Sequence, residues 1–229
     1  MSGSNTPRQR PMSPGRARIP NALTILRLIL AAAFFVLLGW RPGGPLVEPA
    51  QDRGGILLGA AALFIVAALT DALDGYLARR WNVVSRFGRV MDPFADKVLV
   101  LGAFVFLAAP AFQVHLDMDG AVRRLQISGV HAWMVVVILA RELLVTSLRG
   151  AYEARGVDFS ASASGKLKMI LQSVTIPLVL VLPALFDATG GWARVTIDML
   201  VWACVIVTAA SAVPYVARAI AANANPGAP

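Results

Sequence analysis

Six long apolar stretches run through this sequence, and each is about as long as a helix that crosses a bilayer. They lie at about residues 22–39, 55–79, 92–112, 129–149, 167–186 and 194–217. About 20 helical residues cross the hydrocarbon core, where a helix satisfies its own backbone hydrogen bonds. The stretches also lack the period-two alternation of membrane barrel strands. The sequence therefore predicts an all-α, polytopic membrane protein with six transmembrane helices.

The composition supports this class. Hydrophobic residues make up 57% of the 229 residues and charged residues 15%, with a mean hydropathy of +0.67, which excludes an ordinary soluble domain. Cys204 is the only cysteine, so an intramolecular disulfide and a cysteine-based metal site are both excluded. The net charge of +8 arises mostly in short connections. We therefore interpret it as a determinant of topology, with no nucleic-acid partner.

Basic residues alternate between successive connections. The N-terminal tail and the connections after the second and fourth apolar stretches are net basic, whereas acids offset the arginines in the other three. By the positive-inside rule, this alternation predicts both termini in the cytoplasm and a multi-pass protein of the inner or plasma membrane. The tail's arginines are expected to contact anionic lipids. The predicted divisions are a disordered basic tail, a six-helix membrane domain and a short C-terminal tail, at residues 1–20, 21–220 and 221–229.

The cytoplasmic end of the second stretch carries acidic and small residues at helical spacing. Asp71, Asp74, Gly75 and Ala78 follow an i, i+3, i+4, i+7 pattern and share one face of the predicted helix. The two small residues leave room for a bulky ligand. Arg79, which follows them, is a bidentate donor suited to phosphate. This face is therefore a candidate site for a phosphate-containing ligand.

Two further aspartates open the third stretch. Asp92 and Asp96 are four residues apart, and a short cytoplasmic connection makes the second and third helices antiparallel neighbours. Four carboxylates at one depth repel one another unless a cation compensates. All-oxygen ligation favours Mg²⁺ or Mn²⁺. The arrangement predicts a cytoplasmic-side active site that resembles a two-metal clamp on a pyrophosphate.

Single members of this cluster also have structural explanations. Asp92 before Pro93 fits a helix N-cap with proline at the first helical position, and Asp71 could pair with an arginine. Two other classes of protein remain open: an ion-coupled transporter with acids near the bilayer midplane, and a membrane scaffold with no metal dependence.

The same residues resemble the signature of the CDP-alcohol phosphotransferases, a family of six-helix membrane enzymes. The matching pattern is Asp71-x2-Asp74-Gly75-x2-Ala78-Arg79-x8-Gly88-x3-Asp92-x3-Asp96. The resemblance implies that an acceptor hydroxyl attacks the β-phosphorus of a CDP-linked lipid and that CMP leaves. It also implies two metal ions per active site and a homodimer.

Carried over position by position, the resemblance implies roles for the signature residues. All four aspartates ligate metal, and Asp96 also acts as the base that takes the hydroxyl proton. A second group of residues lines the nucleotide pocket: Gly75, Ala78, Arg79, Ser85 and Gly88.

Three further stretches resemble one branch of the family, the phosphatidylglycerophosphate synthases, which transfer the phosphatidyl group of CDP-diacylglycerol to sn-glycerol 3-phosphate. They are residues 19–27, 140–149 and 165–168. The first adds Asn21 and Thr24 to the predicted CDP-lipid site. The other two supply predicted ligands of the acceptor phosphate: Arg141, Arg149, Lys166 and Lys168.

Alternatives remain for the acceptor. These cations also satisfy the positive-inside rule, and Glu142 is either a structural partner of Arg141 or orients it. Met169 stands where the branch pattern has a hydroxyl residue. A phosphatidylinositol-phosphate synthase, which uses inositol phosphate, would need a similar cationic pocket.

Overall fold

A computed structural model of the chain describes residues 18–39, 54–81, 86–118, 121–153 and 163–224, and most of these residues are helical. The helices are α1 (Arg18–Gly39), α2 (Gly54–Trp81), α3 (Arg86–Leu107), α4 (Ala132–Glu153), α5 (Ala163–Leu185), α6 (Gly191–Ala210) and α7 (Val213–Ala224). The predicted tails lie outside the described residues, except that residues 18–20 begin α1 and residues 221–224 end α7.

Four segments of the described chain are long and apolar enough to cross a membrane. They are Ala22–Gly39 in α1, Gly54–Leu73 in α2, Gly165–Leu185 in α5 and Gly191–Ala221, which continues from α6 into α7. Helices α3 and α4 are also 22 residues long, but charged residues interrupt their apolar sequence. The membrane class is thus supported, and the count of six spans stays a prediction.

The helices pack around an apolar core and also present apolar side chains to the outside. Phe34, Phe64 and Phe104 are 1% exposed or less at the centre of this core. On the exterior, Val36 and Met199 are 63% and 68% exposed. Such a surface would be unfavourable in water and is typical of helices that face lipid.

A β-hairpin, absent from the all-α prediction, follows α3. Strands β1 (Gln113–Met118) and β2 (Ala121–Gln126) pair in antiparallel register. The Gln126 amide donates to the Leu107 carbonyl at 2.7 Å, and the Ser128 hydroxyl donates to the same oxygen at 2.6 Å. Because these bonds satisfy a carbonyl at the end of α3, they fix the hairpin to the helix.

The sixth predicted stretch is divided into two helices. The break falls at Ser211 and Ala212, just before Pro214, which lacks an N–H and disfavours helical backbone in the residue before it. The Ser211 hydroxyl donates to the Thr208 carbonyl at 2.7 Å. Helix α7 packs on α4, where Tyr152 donates to the Ala219 carbonyl at 2.9 Å.

Helix α3 begins earlier than the sequence indicated. It starts at Arg86, so Asp92 and Pro93 lie on helical backbone beyond the first turn. The interpretation of Asp92 as an N-cap is therefore wrong.

Helix α2 packs mainly on α1 and α5 and makes a smaller contact with α3. Over the described residues, some space is left between α2 and α3. A cleft lined by α2, α3 and α5 occupies this space.

Candidate active site

Two of the four predicted aspartates have described side chains, and both line the cleft between α2 and α3. Asp71 comes from α2 and Asp96 from α3, and the cleft has a volume of about 590 Å³. Gly75 lines the same cleft, as expected for a small residue beside a bulky ligand. Two of the predicted acids, one from each helix, therefore lie in the same cleft. We call this space the acidic cleft.

Below the acids the acidic cleft is apolar. Phe64, Ala68, Leu99 and Val174 are among its walls. Because a helix rises about 1.5 Å per residue, Phe64 lies about 10 Å along α2 from Asp71, towards the middle of the span. A ligand with a charged head and a hydrocarbon tail would match this gradient of polarity.

Asp71 is held by an arginine for which the sequence had suggested no role. Arg27 is buried in α1, and its guanidinium lies 2.7 Å from the Asp71 carboxylate. The proposed structural pairing of Asp71 with an arginine is therefore confirmed. The Asp71 side chain is still 41% exposed, so the ion pair leaves it accessible from the cleft. An arginine within an apolar span was the available signal, since such charges face a partner or a site.

Thr24 lies one turn before Arg27 and is buried in α1. The remaining predictions concern positions whose side-chain surroundings lie outside the described part of the chain: Asn21, Asp74, Ala78, Arg79, Ser85, Gly88 and Asp92.

The side chains present fit a hard divalent cation. Asp71 and Asp96 supply carboxylate oxygens from two helices to one cleft, and such oxygens are the donors that Mg²⁺ and Mn²⁺ prefer. Among described residues no group of three acidic, histidine or cysteine side chains gathers in one place. Asp74 and Asp92, the other predicted ligands, have no described side chains.

A second cleft of about 520 Å³ is lined by α4, α5 and α7 together with Lys97 from α3. Three of the four cations predicted to bind acceptor phosphate line it: Arg141, Arg149 and Lys166. Its positive charge suits an anionic ligand. We call this space the basic cleft.

Lys168, the fourth predicted cation, lies between the two clefts. It lines a small void of about 10 Å³ together with Asp96, Lys97 and Glu142. Met169 lines this void and also both clefts. The acidic and basic clefts are therefore neighbours, separated by side chains of α3, α4 and α5.

Glu142 engages both Lys168 and Arg141. Its Oε1 atom accepts from Arg141 Nη1 at 2.8 Å and from the Lys168 ammonium. Both alternatives considered for Glu142 assumed Arg141 as its partner, and the structure adds a second cation from another helix. Sequence spacing carried no signal for that second pairing, because the spacing of charges within α4 does not show which cation of α5 reaches Glu142.

The family model for CDP-alcohol phosphatidyltransferase matches residues 17–213, a range that includes the whole acidic cleft and all of the basic cleft except Tyr215. The chain belongs to this family. The resemblance seen in the signature residues is therefore confirmed, and the protein is a membrane transferase of phospholipid biosynthesis.

Curated relatives match most of the chain. A Mycobacterium tuberculosis protein named "Probable phosphatidylglycerophosphate synthase" is 35% identical over 209 residues, which are 90% of this chain and 85% of the relative. Proteins named CDP-diacylglycerol–glycerol-3-phosphate 3-phosphatidyltransferase are also similar. The one from Bacillus subtilis is 31% identical, covering 87% of this chain and 94% of the relative. The one from Escherichia coli is 32% identical, covering 76% and 82%.

Proposed function

We propose that this protein transfers the phosphatidyl group of CDP-diacylglycerol to sn-glycerol 3-phosphate, giving phosphatidylglycerophosphate and CMP. The observation that carries the proposal is the adjacency of the acidic and basic clefts. One cleft combines carboxylates with an apolar groove, as a CDP-linked lipid requires, and the other is cationic, as a phosphorylated acceptor requires. The names of the relatives support the same donor and acceptor.

The proposed metal site consists of the four signature aspartates. Asp71, Asp74, Asp92 and Asp96 would hold two Mg²⁺ or Mn²⁺ ions, with Arg27 fixing the Asp71 carboxylate. When bound, the metal would neutralise the pyrophosphate of the donor and stabilise the CMP leaving group.

Residues of the chain itself position the two substrates and accept a proton. The apolar wall of the acidic cleft holds the acyl chains, while Arg149 and Lys166 hold the acceptor phosphate in the basic cleft. Asp96 accepts the proton of the acceptor hydroxyl. The hydroxyl oxygen then forms its bond to the β-phosphorus, and the bond from that phosphorus to the CMP oxygen breaks. This step requires no nucleophilic side chain.

The acceptor assay tests this proposal. Purified protein in detergent, with CDP-diacylglycerol and Mg²⁺, should release CMP with glycerol 3-phosphate at least about tenfold faster than with inositol phosphate, serine, inositol or no acceptor, because small differences in pocket contacts are worth about that much. Release measured again after EDTA treatment tests the metal requirement. Faster release with inositol phosphate would move the protein to the inositol-phosphate branch, and release that persists after chelation would contradict the metal site.

The proposed topology has six spans, both termini in the cytoplasm and the clefts on that side. The alternation of loop charge supports it. A homodimer, implied by the family resemblance alone, stays a prediction.

Cysteine labelling checks this topology. Native Cys204 is buried, so single added cysteines can be distinguished from it. In sealed right-side-out vesicles, a membrane-impermeant maleimide should label Val122→Cys, in the exposed hairpin, and should label Ala221→Cys in α7 only after permeabilisation. Labelling of both variants, or of Ala221→Cys alone, in sealed vesicles would contradict the topology.

A further inference from the structure

Glu142 is the only acidic residue that is buried among the residues the structure describes. It is 7% exposed, next to Arg141, which is 8% exposed. A buried carboxylate costs free energy unless cations and hydrogen bonds compensate it, and a buried ion pair is weak evidence of stabilisation. The position of Glu142 therefore requires an explanation other than stability.

The Glu142 carboxylate pairs with one cation of α4 and one of α5. Lys168 reaches it from α5, and Arg141 reaches it at 2.8 Å from the same helix. Arg141 also donates from Nε to the Ser211 hydroxyl at 2.9 Å, at the break between α6 and α7. The Arg141 guanidinium lies 6.0 Å from the centre of the Tyr215 ring in α7. Removing the carboxylate would take this partner away from Arg141 in α4 and from Lys168 in α5 at the same time.

This cluster lies between the two clefts. Glu142 and Lys97 line both the basic cleft and the small void beside Asp96, and Lys168 lines that void. Lys97 donates to the Thr146 hydroxyl, which in turn donates to the Glu142 carbonyl at 2.6 Å. The positions of three cations therefore depend on α4 around Glu142.

The Glu142 carboxylate keeps Lys168 from pairing with another acid. Arg141, Lys168 and Lys97 are positive, and Asp96 lines the same small void as Lys168 and Glu142. Without Glu142, the Lys168 ammonium would be drawn towards Asp96, since opposite charges in a low-dielectric site attract strongly. Lys168 would then leave the partition, that is, the side chains of α3, α4 and α5 that separate the two clefts. It would occupy the space in which the acceptor hydroxyl has to approach.

We propose that Glu142 is a positioning residue, which holds Lys168 and Arg141 at the partition so that the acceptor phosphate meets a preset cationic pocket. The inference rests on the proposed function and extends it to the acceptor side. Glu142 itself does not contact the reacting atoms.

The test compares Glu142→Gln with Glu142→Asp. Glu142→Gln is expected to raise the KM for glycerol 3-phosphate by about tenfold or more, because truncating one member of a buried charge pair misplaces the other. The KM for CDP-diacylglycerol should change less than about twofold, since Glu142 does not line the acidic cleft. Glu142→Asp keeps the charge and should restore part of the affinity for the acceptor. The Glu142→Gln/Lys168→Met double variant should be no worse than Glu142→Gln, because the cation that would move is gone.

Asp198→Asn provides the matched control. Asp198 accepts from Arg194 at 2.8 Å in α6, near the hairpin end of the bundle, so its loss removes a membrane ion pair without touching either cleft. It should leave both KM values unchanged, and thermal unfolding in detergent reports folding for every variant. An equal rise in both KM values, or a normal acceptor KM in folded Glu142→Gln, would overturn the inference. Absence of CMP release by the wild type with every acceptor would instead refute the proposed function.

Discussion

Asp96→Asn is expected to lower the rate of CMP release by about a thousandfold, the order of magnitude that a general base contributes. Asparagine has nearly the same shape but neither accepts the hydroxyl proton nor carries the negative charge that a divalent cation requires. Asp96 faces the acidic cleft and also the void that leads towards Lys168, so it lies where donor and acceptor would meet. The rate is measured as CMP released from CDP-diacylglycerol with glycerol 3-phosphate at saturating Mg²⁺.

Asp187→Asn is the control for this prediction. Asp187 is exposed in the connection between α5 and α6, where its side chain accepts from the Thr189 hydroxyl and backbone N–H. These two bonds hold the pKa of Asp187 below its usual range, but they are remote from the clefts. Its replacement should leave the rate unchanged. Asp96→Asn that keeps more than a tenth of the wild-type rate would rule out the base role.

Local spacing predicted the acidic cleft well. Asp71 and Asp96 are on different helices, and the periodicity of each helix with the short connection between them predicted that both lie on the same side of the bundle. Both line the acidic cleft. Gly75 was predicted for the same reason. These features depend on regular helical geometry, which is largely local in sequence.

The partners of the charged residues were less predictable. The pairs of Arg27 with Asp71 and of Lys168 with Glu142 each join two consecutive helices. Which cation reaches which carboxylate depends on how the helices pack, and packing is not encoded in the spacing of charges within one helix. The pairing of Lys168 with Glu142 was therefore not predicted, and the binding of acceptor phosphate by Lys168 stays a prediction.

The β-hairpin and the break between α6 and α7 were not predicted, for a different reason. Strands β1 and β2 have six residues each, and β1 alternates polar and apolar residues from Gln113 to Met118. The strand signal was therefore present, but it lay in a connection between two predicted spans, where no strand was expected. At the break, Pro214 was a usable signal, since the residue before a proline is disfavoured in a helix. The apolar composition continues through Ser211 into α7, so a hydropathy argument alone merges α6 and α7 into one span.

Arg27→Met is expected to lower the rate of CMP release by about 30-fold, within the range of about 10–100-fold for residues that orient metal ligands. Arg27 is buried in α1 and places the Asp71 carboxylate of α2 at 2.7 Å. Methionine fills similar volume but carries no charge, so Asp71 would lose its anchor and adopt other rotamers. Arg27→Lys keeps the charge without the guanidinium geometry and should lie between Arg27→Met and the wild type.

The same variant should have a moderate effect on stability. Breaking a fully buried ion pair costs about 3–5 kcal/mol, and partial exposure of Asp71 lowers the expected cost to about 1–3 kcal/mol. Arg194→Met breaks another ion pair, with Asp198 in α6, and serves as the matched control for stability. Thermal unfolding in detergent and CMP release, measured on both variants, separate the two effects. Arg27 acts through the acidic cleft if Arg194→Met lowers stability but releases CMP at the wild-type rate, while Arg27→Met releases CMP more slowly. An equal loss of rate in both variants would show that Arg27 contributes only to folding.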